Sequence, residues 1–321
     1  MQFQWNKLPR PFFALAPMED VTDTVFRQVV GKHGAPDVYF TEFTNTDALC
    51  SRGEKNALLR LQFTKKEHPI IAQIWGVNPK LYYESAKKIL GMGCDGIDIN
   101  MGCPIRNIIK GGACAALIKN QKLTQEIIHA TNDGAGELPV SVKTRIGFDE
   151  IQTDEWLGFL LDQDIAALTV HGRTAKEMSL APAHWDEIGK VVKLRDKKKV
   201  RTVIIGNGDV VDRKDGLQKS RETGVDGIMI GRGIFHNLFA FKENSATWFT
   251  LTPKEKISIL KEHATLYKDT WKAGKNYPML KKFFKIYVSG FSGASDIRVR
   301  FMDTKTPDAA IALANELLKR W

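Results

Sequence analysis

Short, almost entirely apolar segments alternate with amphipathic segments along most of the chain. Eight of the apolar segments have the length and composition of buried strands. They cover residues 12–16, 38–40, 70–74, 97–99, 140–143, 167–170, 203–205 and 227–230. Segments between them show the three- and four-residue apolar spacing of helices, at residues 21–30, 79–90, 123–131, 155–161, 185–194 and 212–223. The pattern therefore predicts eight β-α units.

Strands of this kind indicate a parallel sheet, because strands that helices cover on both faces are apolar at nearly every position. Eight such strands within residues 1–243 favour a closed (β/α)8 barrel, the TIM-barrel architecture, over an open sheet. We therefore expect an α/β fold in which residues 1–243 form a barrel domain.

The pattern changes in the last part of the chain. Residues 237–252 resemble a connector, and residues 253–267, 279–288 and 307–318 show helical spacing without strand alternation. Residues 252–321 are therefore predicted to form a small, all-helical C-terminal domain.

Charge gives this region a candidate role. From Leu251 onward the chain carries 14 Lys and Arg against seven Asp and Glu, so +7 of the net charge of +10 lies there. A basic segment of this kind suits a polyanion such as a nucleic acid, although a solvated surface would have the same composition.

Several other classes of protein do not fit the sequence. The 321 residues lack a signal peptide and any run of about 18 apolar residues, so we expect a cytoplasmic protein with no membrane partner. The four cysteines have no C-x-x-C spacing and the seven histidines are scattered, so neither a disulfide framework nor a structural metal is expected. A monomer is expected.

Polar side chains collect where the predicted strands end. These positions are Pro17-Met18, Glu42, Gln73, Asn100 with Cys103, Lys143 with Arg145, His171 with Arg173, Asn207-Gly208-Asp209 and Gly231-Arg232. In a barrel of parallel strands the carboxyl ends meet at one mouth, where active sites are built. The clustering predicts an active site there.

Two of these strand ends carry glycine. Gly208 and Gly231 follow the seventh and eighth strands, where backbone N–H groups of barrel enzymes bind phosphate, and Arg232 would add a guanidinium. Tight turns would also explain either loop singly. The G-x-G-x-x-G match at residues 91–96 is not a dinucleotide fingerprint, since it follows a helix and precedes a strand.

Individual side chains suggest roles but leave alternatives. Lys143 alternates with apolar neighbours and would point into the mouth, where it meets either an electron-rich ligand or an internal salt-bridge partner. Gln73 can donate and accept at the edge of a heterocycle. His171 is either a ligand contact or a core histidine. Cys103 is either a working thiol or a small residue chosen for a Gly-Cys-Pro turn.

At these positions the sequence resembles the tRNA-dihydrouridine synthase family. The resemblance rests on motifs that occur in order: Ala16-Pro17-Met18 with Val21-Thr22-Asp23, Asp98-Ile99-Asn100-Met101-Gly102-Cys103-Pro104, Lys143-Thr144-Arg145, Val170-His171-Gly172-Arg173-Thr174, Gly206-Asn207-Gly208-Asp209 and Met229-Ile230-Gly231-Arg232-Gly233. It covers the whole barrel, and the basic helical tail is similar in position to the family's RNA-binding domain.

The resemblance implies that FMN binds at the mouth and that tRNA is the substrate. Ala16, Pro17 and Met18 would lie at the flavin ring, and Gln73 and Lys143 at its polar edge. Six further residues would hold the ribityl phosphate: His171, Asn207, Gly208, Asp209, Gly231 and Arg232. Asn100 would face the uracil, with Arg145 and Arg173 as further substrate contacts.

The resemblance also implies the reaction. Reduced FMN would deliver hydride to C6 of uridine, Cys103 would protonate C5, and NADPH or NADH would reduce the flavin between turnovers. A thiol is mostly protonated at neutral pH, so it can act as an acid.

Some points stay open at this stage. Cys114 replaces a residue that is more often small in the family, and it is either an inert core thiol or a second thiol near Cys103. Two alternative functions fit the sequence less well. A flavin dehydrogenase that acts on free pyrimidines would not need the basic tail. An RNA-binding barrel without catalytic activity would not need Cys103 and Lys143. The reduced tRNA position is not predicted.

Overall fold

A closed barrel of parallel strands forms the centre of the molecule. The structure, a computed structural model, describes residues 2–272 and 274–321. Its strands are β1 (Phe12–Leu15), β2 (Tyr39–Phe40), β3 (Thr44–Asn45), β4 (Ile70–Trp75), β5 (Gly96–Met101), β6 (Val140–Arg145), β7 (Ala167–His171), β8 (Val203–Asn207) and β9 (Gly227–Ile230). Eight of them pair in the order β1-β9-β8-β7-β6-β5-β4-β2, and a parallel bridge from Ala14 to Val38 joins the two ends. The predicted barrel is therefore confirmed and the open sheet is wrong.

Helices surround this barrel and continue beyond it. The α-helices are α1 (Thr24–Gly34), α2 (Thr46–Leu49), α3 (Glu54–Leu61), α4 (Pro79–Met92), α5 (Arg106–Lys110), α6 (Gln121–Ala135), α7 (Gly158–Leu161), α8 (Trp185–Lys198), α9 (Arg213–Thr223), α10 (Thr247–Thr250), α11 (Pro253–Trp271), α12 (Pro278–Lys281), α13 (Phe284–Tyr287), α14 (Ala294–Asp303) and α15 (Pro307–Arg320). Two predicted helices differ. Residues 155–161 are a π-helical turn, Thr153–Leu157, followed by α7, and residues 279–288 divide into α12 and α13.

Strand alternation separates two layers of apolar side chains. Phe12, Ala14, Ala16, Ile71, Ala167, Ile205 and Met229 belong to a cluster inside the barrel. Phe13, Leu15, Ile97, Ile99, Val140 and Val142 belong to a second cluster, which packs beneath the helices. Side chains alternate along a strand, so a residue two positions beyond a member of the inner cluster also faces the barrel interior. The inner cluster therefore identifies which residue at the carboxyl end of each strand faces the mouth.

The C-terminal helices share the second apolar cluster with the barrel. Phe26 of α1 stacks near Phe283 with ring centroids 4.5 Å apart, and Trp271 of α11 donates from Nε1 to Asp23 at 3.0 Å. Lys275 reaches back to Glu42, 2.9 Å from Oε2. In the predicted connector, Trp248 of α10 is buried. The division into domains at 1–243 and 252–321 stays a prediction.

None of the helices within residues 2–272 and 274–321 combines the length and apolar character that crossing a membrane requires.

Candidate active site

The register of the strands brings the predicted polar residues into neighbouring rows at the barrel mouth. Lys143 lies opposite Asn100 on one side and Thr169 on the other, and His171 lies between Arg145 and Asn207. Gln73 and Asn207 stand two residues beyond the inward-facing Ile71 and Ile205, so both also face the interior. The sequence-based prediction of a polar mouth follows directly from this alternation.

A chain of hydrogen bonds runs across three strands, β4, β5 and β6, beneath the mouth. Ser141 donates to Asp98 Oδ1 at 2.6 Å, and Gln73 donates to Asp98 Oδ2 at 2.6 Å. Asn100 then donates to Gln73 Oε1 at 3.0 Å. Its own Oδ1 accepts from the backbone N–H groups of Gly102 at 3.0 Å and Cys103 at 3.1 Å. The buried side chains therefore fix the start of the loop that carries Cys103.

Asp98 was not among the predicted site residues. It is fully buried, and burial raises its pKa to about 6, although the bonds from Ser141 and Gln73 and the charge of Lys143 oppose that shift. The sequence did contain a signal for it. An aspartate that alternates with isoleucines in an apolar strand must face the barrel interior, where it needs partners.

Lys143 projects into the mouth as a half-buried cation. Its pKa is lowered to about 8, chiefly by burial and then by the guanidinium of Arg145. Among the described residues no carboxylate lies within 4.0 Å of its ammonium, so the internal salt bridge that was the alternative is not formed. A bound electron-rich group would supply the missing partner.

A cavity of about 370 Å³ opens beside this lysine. Ten of the predicted cofactor residues line it: Ala16, Pro17, Met18, Lys143, His171, Asn207, Gly208, Asp209, Gly231 and Arg232. Gln73 does not line it, because both ends of its amide are bonded to Asp98 and Asn100. The sequence reasoning missed Ser179, Val210, Val211 and His236, which also line it, as does Gly233 of the predicted phosphate loop.

Glycine is required at one side of this cavity. Gly208 has φ +128°, and a Cβ there would lie 2.7 Å from the Cβ of Ala183 and 3.2 Å from the His171 ring. Only glycine can hold this backbone at that distance. At Gly231 a Cβ would reach 3.6 Å from Ala16 and 4.0 Å from Met18, which line the same cavity. Its absence leaves a groove there.

Two guanidinium groups share one carboxylate at the far side of the cavity. Asp209 pairs with Arg173 and with Arg232, the latter at 3.1 Å, and accepts from the backbone of Ala183 at 2.9 Å. Burial acts against ionisation of Asp209, but the bonds from Arg173 and Ala183 outweigh it and lower the pKa. One positive charge is therefore left over.

His171 lies among cations and stays neutral. Burial lowers its pKa well below the usual value, and Lys143, Arg145, Arg173 and Arg232 lower it further. Nε2 lies 3.0 Å from Nη1 of Arg173. Because a guanidinium can only donate, Nε2 must accept and the ring proton must be on Nδ1.

The two arginines predicted as substrate contacts brace loops around the mouth. Arg145 donates to the carbonyl oxygens of Gly102 at 2.7 Å, Thr174 at 2.8 Å and Met178 at 2.8 Å. Arg173 donates to the carbonyl of Ala181 at 2.5 Å, and its side chain is 2% exposed. Their contact with a substrate stays a prediction.

Cys103 lies against the second thiol. The backbone N–H of Ala115 donates to the carbonyl of Cys103 at 3.3 Å, so the loop folds back on itself, and the buried Cys114 has φ +53° at this point. A hydrogen bond from Cys114 lowers the pKa of Cys103 to about 7, with further lowering from the Ile105 backbone and Arg145 and opposition from burial. The pKa of Cys114 is raised well above its usual value by the same bond and by burial.

Comparisons with known proteins point to one family. A family model described as dihydrouridine synthase (Dus) matches residues 14–320. A protein of Staphylococcus aureus (strain Mu50 / ATCC 700699) named "Probable tRNA-dihydrouridine synthase" is 47% identical over 315 residues, which cover 97% of this chain and 94% of that protein. One of Bacillus subtilis (strain 168), named "Probable tRNA-dihydrouridine synthase 2", is 45% identical over 324 residues, covering 99% and 97%.

Among solved structures, histamine dehydrogenase from Rhizobium sp. 4-9 has a similar fold, with 12% identity and a TM-score of 0.56. The match covers 79% of this chain but only about half, 48%, of that one. At this identity the likeness shows the fold alone. The family match and the identity to full-length relatives show that the chain belongs to the dihydrouridine synthase family.

Proposed function

We propose that the protein is a tRNA-dihydrouridine synthase, which reduces the C5=C6 bond of uridine in tRNA to 5,6-dihydrouridine. Family membership and the names of the two relatives support the reaction class and the substrate. The observation that carries the proposal is the thiol of Cys103, held by Asn100 on a loop beside a cationic barrel mouth.

The residues of the main cavity fit FMN. Its volume of about 370 Å³ is in the usual range of ligand pockets. Pro17 and Met18 offer an apolar wall for the flavin ring, and Lys143 offers a cation without a protein partner. Arg173 and Arg232 exceed the charge of Asp209 and suit a phosphate beside Gly208 and Gly231. Gln73 would influence the site indirectly, through its hydrogen bond with Asn100.

When bound, reduced FMN supplies the hydride that is added to C6, and NADPH or NADH restores the reduced flavin. Hydride addition leaves negative charge spread over C5 and O4 of the uracil, and Cys103 transfers its proton from Sγ to C5. The hydrogen bond from Cys114 and the charges of Arg145 and Lys143 stabilise the thiolate that remains. An acid with a pKa of about 7 is well matched to this task near neutral pH.

The C-terminal helices would bind the tRNA. Lys254, Lys272, Lys282 and Lys285 are exposed on them. A uridine must leave the base stack to reach the mouth, at a cost of a few kcal/mol. Phosphate contacts of these lysines would offset that cost. A tRNA substrate and a nicotinamide reductant also agree with the predicted cytoplasmic location.

Two measurements test this proposal. The purified protein should be yellow and release FMN on denaturation, and it should form dihydrouridine in unmodified tRNA with NADPH or NADH, measured by mass spectrometry of nucleosides. Free uracil is the control and should not react. Reduction of free uracil instead of tRNA, or absence of flavin, would refute the proposal. Mass spectrometry of tRNA from a deletion strain would then locate the reduced position.

A further inference from the structure

A second pocket lies at the barrel mouth, separate from the main cavity. We call it the side pocket; its volume is about 400 Å³. The lining residues that matter here are Glu19, Phe43, Thr44, Arg60, Trp75 and Ile105. They lie at or beyond the carboxyl ends of β1, β2, β4 and β5, with Thr44 in the short β3, so the pocket opens at the same end of the barrel as the main cavity.

The side pocket is close to the reacting centre on two sides. Glu19 follows Met18, which lines the main cavity, and Ile105 is two residues beyond Cys103. Two residues span at most about 7 Å, a distance that adjacent nucleotides of an unstacked strand can cover.

Its walls have the chemistry that recognises a flat heterocycle with N–H groups. Phe43 and Trp75 are half-buried aromatic side chains on which a ring can stack. Arg60 donates to Oε1 of Glu19 from both Nε, at 2.8 Å, and Nη2, at 2.7 Å. Oε2 of Glu19 and Oγ1 of Thr44 are buried and have no hydrogen-bond partner within the described residues. Such oxygens require donors, which the edges of nucleobases supply.

The rim of the side pocket favours a polyanion. Arg52, Lys55, Arg106 and Lys110 are exposed, lie next to or near lining residues along the chain, and form no ion pair among residues 2–272 and 274–321.

The basic C-terminal region reaches the same place. Lys282 lies 3.5 Å from Asp20, and Lys275 lies 2.9 Å from Glu42, each one residue from the pocket wall. A nucleic acid bound to these helices would therefore lie beside the side pocket.

We infer that the side pocket binds the base of a nucleotide that neighbours the target uridine in the RNA substrate, stacked on Trp75 with its N–H groups toward Glu19 and Thr44. This inference rests on the proposed function. Holding the neighbouring base would stabilise the strand in the unstacked form that delivers uridine to Cys103.

The test compares Trp75→Leu and Thr44→Val with Thr223→Val, a control that precedes β9 and therefore lies at the other end of the barrel. Stacking of a base on an aromatic side chain is worth roughly 5- to 150-fold in affinity. Trp75→Leu should therefore weaken binding of tRNA at least about fivefold, and Thr44→Val, which keeps shape and loses only the hydroxyl, should weaken it less. The rate of flavin reduction by NADPH should not change in either variant.

An RNA with an abasic nucleotide beside the target uridine identifies the base. With the abasic site at one particular position, the affinity of the RNA for the wild type should fall to the affinity of intact RNA for Trp75→Leu. That abasic RNA should bind Trp75→Leu no more weakly than it binds the wild type. The inference would be overturned if the affinity losses from Trp75→Leu and from the abasic site were fully additive at every abasic position. It would also be overturned if both variants bound tRNA as tightly as the wild type. So would a change confined to the KM for NADPH, which would assign the pocket to the dinucleotide. A wild type that forms no dihydrouridine would instead contradict the proposed function.

Discussion

Replacing Cys114 by alanine should change the pH dependence of the reaction in which Cys103 is the acid. The hydrogen bond from Cys114 is the largest cause that lowers the pKa of Cys103 to about 7, and burial of Cys103 acts in the opposite direction. Without that bond the pKa should return to at least the ordinary thiol value of about 8.5. At pH 8 the protonated fraction of Cys103 would then rise from about one-tenth to about three-quarters.

The assay is single-turnover reoxidation of pre-reduced enzyme by unmodified tRNA, from pH 6 to pH 9. Only the protonated thiol can act as the acid, so the wild-type rate should fall as pH rises through about 7. In Cys114→Ala the fall should begin near pH 8.5. Below pH 6.5 the variant should be the slower enzyme, because a thiol of higher pKa is a weaker acid. The two profiles should therefore cross.

Two control variants isolate the effect. Cys114→Ser keeps a hydroxyl donor of similar size and should stay near the wild-type profile. Cys103→Ala should keep FMN but reoxidise about 10²–10⁴-fold more slowly. Profiles of wild type and Cys114→Ala that superimpose would show that Cys114 does not set the acidity of Cys103, and a Cys103→Ala rate equal to wild type would remove that thiol from the mechanism.

Three further predictions concern the cofactor, the substrate and stability. Arg232→Ala should purify with less FMN than the wild type, by absorbance at flavin wavelengths, whereas Arg221→Gln at the other end of the barrel should not; full occupancy would contradict the phosphate site. Lys272→Gln and Lys285→Gln should each lower the slope of log tRNA affinity against log salt by about 0.7–0.9 if the lysine contacts a phosphate, and an unchanged slope would exclude that contact. Because the pKa of Asp98 is raised to about 6 in the folded protein, its contribution to stability is present below pH 4 and is lost as pH rises to about 6, by about 3 kcal/mol. Asp98→Asn should therefore flatten the plot of unfolding free energy against pH over that range. An unchanged plot would refute this prediction.

The barrel was predictable because its signals are local. Each strand is a short apolar run, and the polar residue at its end marks the mouth, so spacing alone predicts that Lys143 and His171 reach it, and both line the cavity. Interactions between segments could not be predicted in the same way. The approach of Cys114 to Cys103 depends on a loop that reverses through a residue at φ +53°, which the sequence does not reveal. The side pocket draws its walls from five separate segments, none of which has a motif.

The expected roles of Gln73, Arg145 and Arg173 illustrate the same limit. A residue type and a position at a strand end predict that a side chain reaches the mouth, but not whether it is free there. Arg145 donates to the carbonyl oxygen of Gly102, and Arg173 donates to that of Ala181. The sequence alone does not indicate these bonds. These arginines therefore shape the loops from which a substrate would be held, whatever direct contacts they also make.

One buried carboxylate orients every amide between the barrel core and the reactive thiol. Asp98 can only accept, so Gln73 must turn Nε2 toward it, which leaves Oε1 to accept from Asn100. Asn100 must then direct Oδ1 to the backbone of Cys103. Since each amide has a single orientation that satisfies both neighbours, reversing any one of them would leave two buried donors facing each other. The placement of the acid at the mouth thus depends on a residue three bonds away in the barrel interior, and this explains why a charged group is present in a strand that is otherwise apolar apart from Asn100.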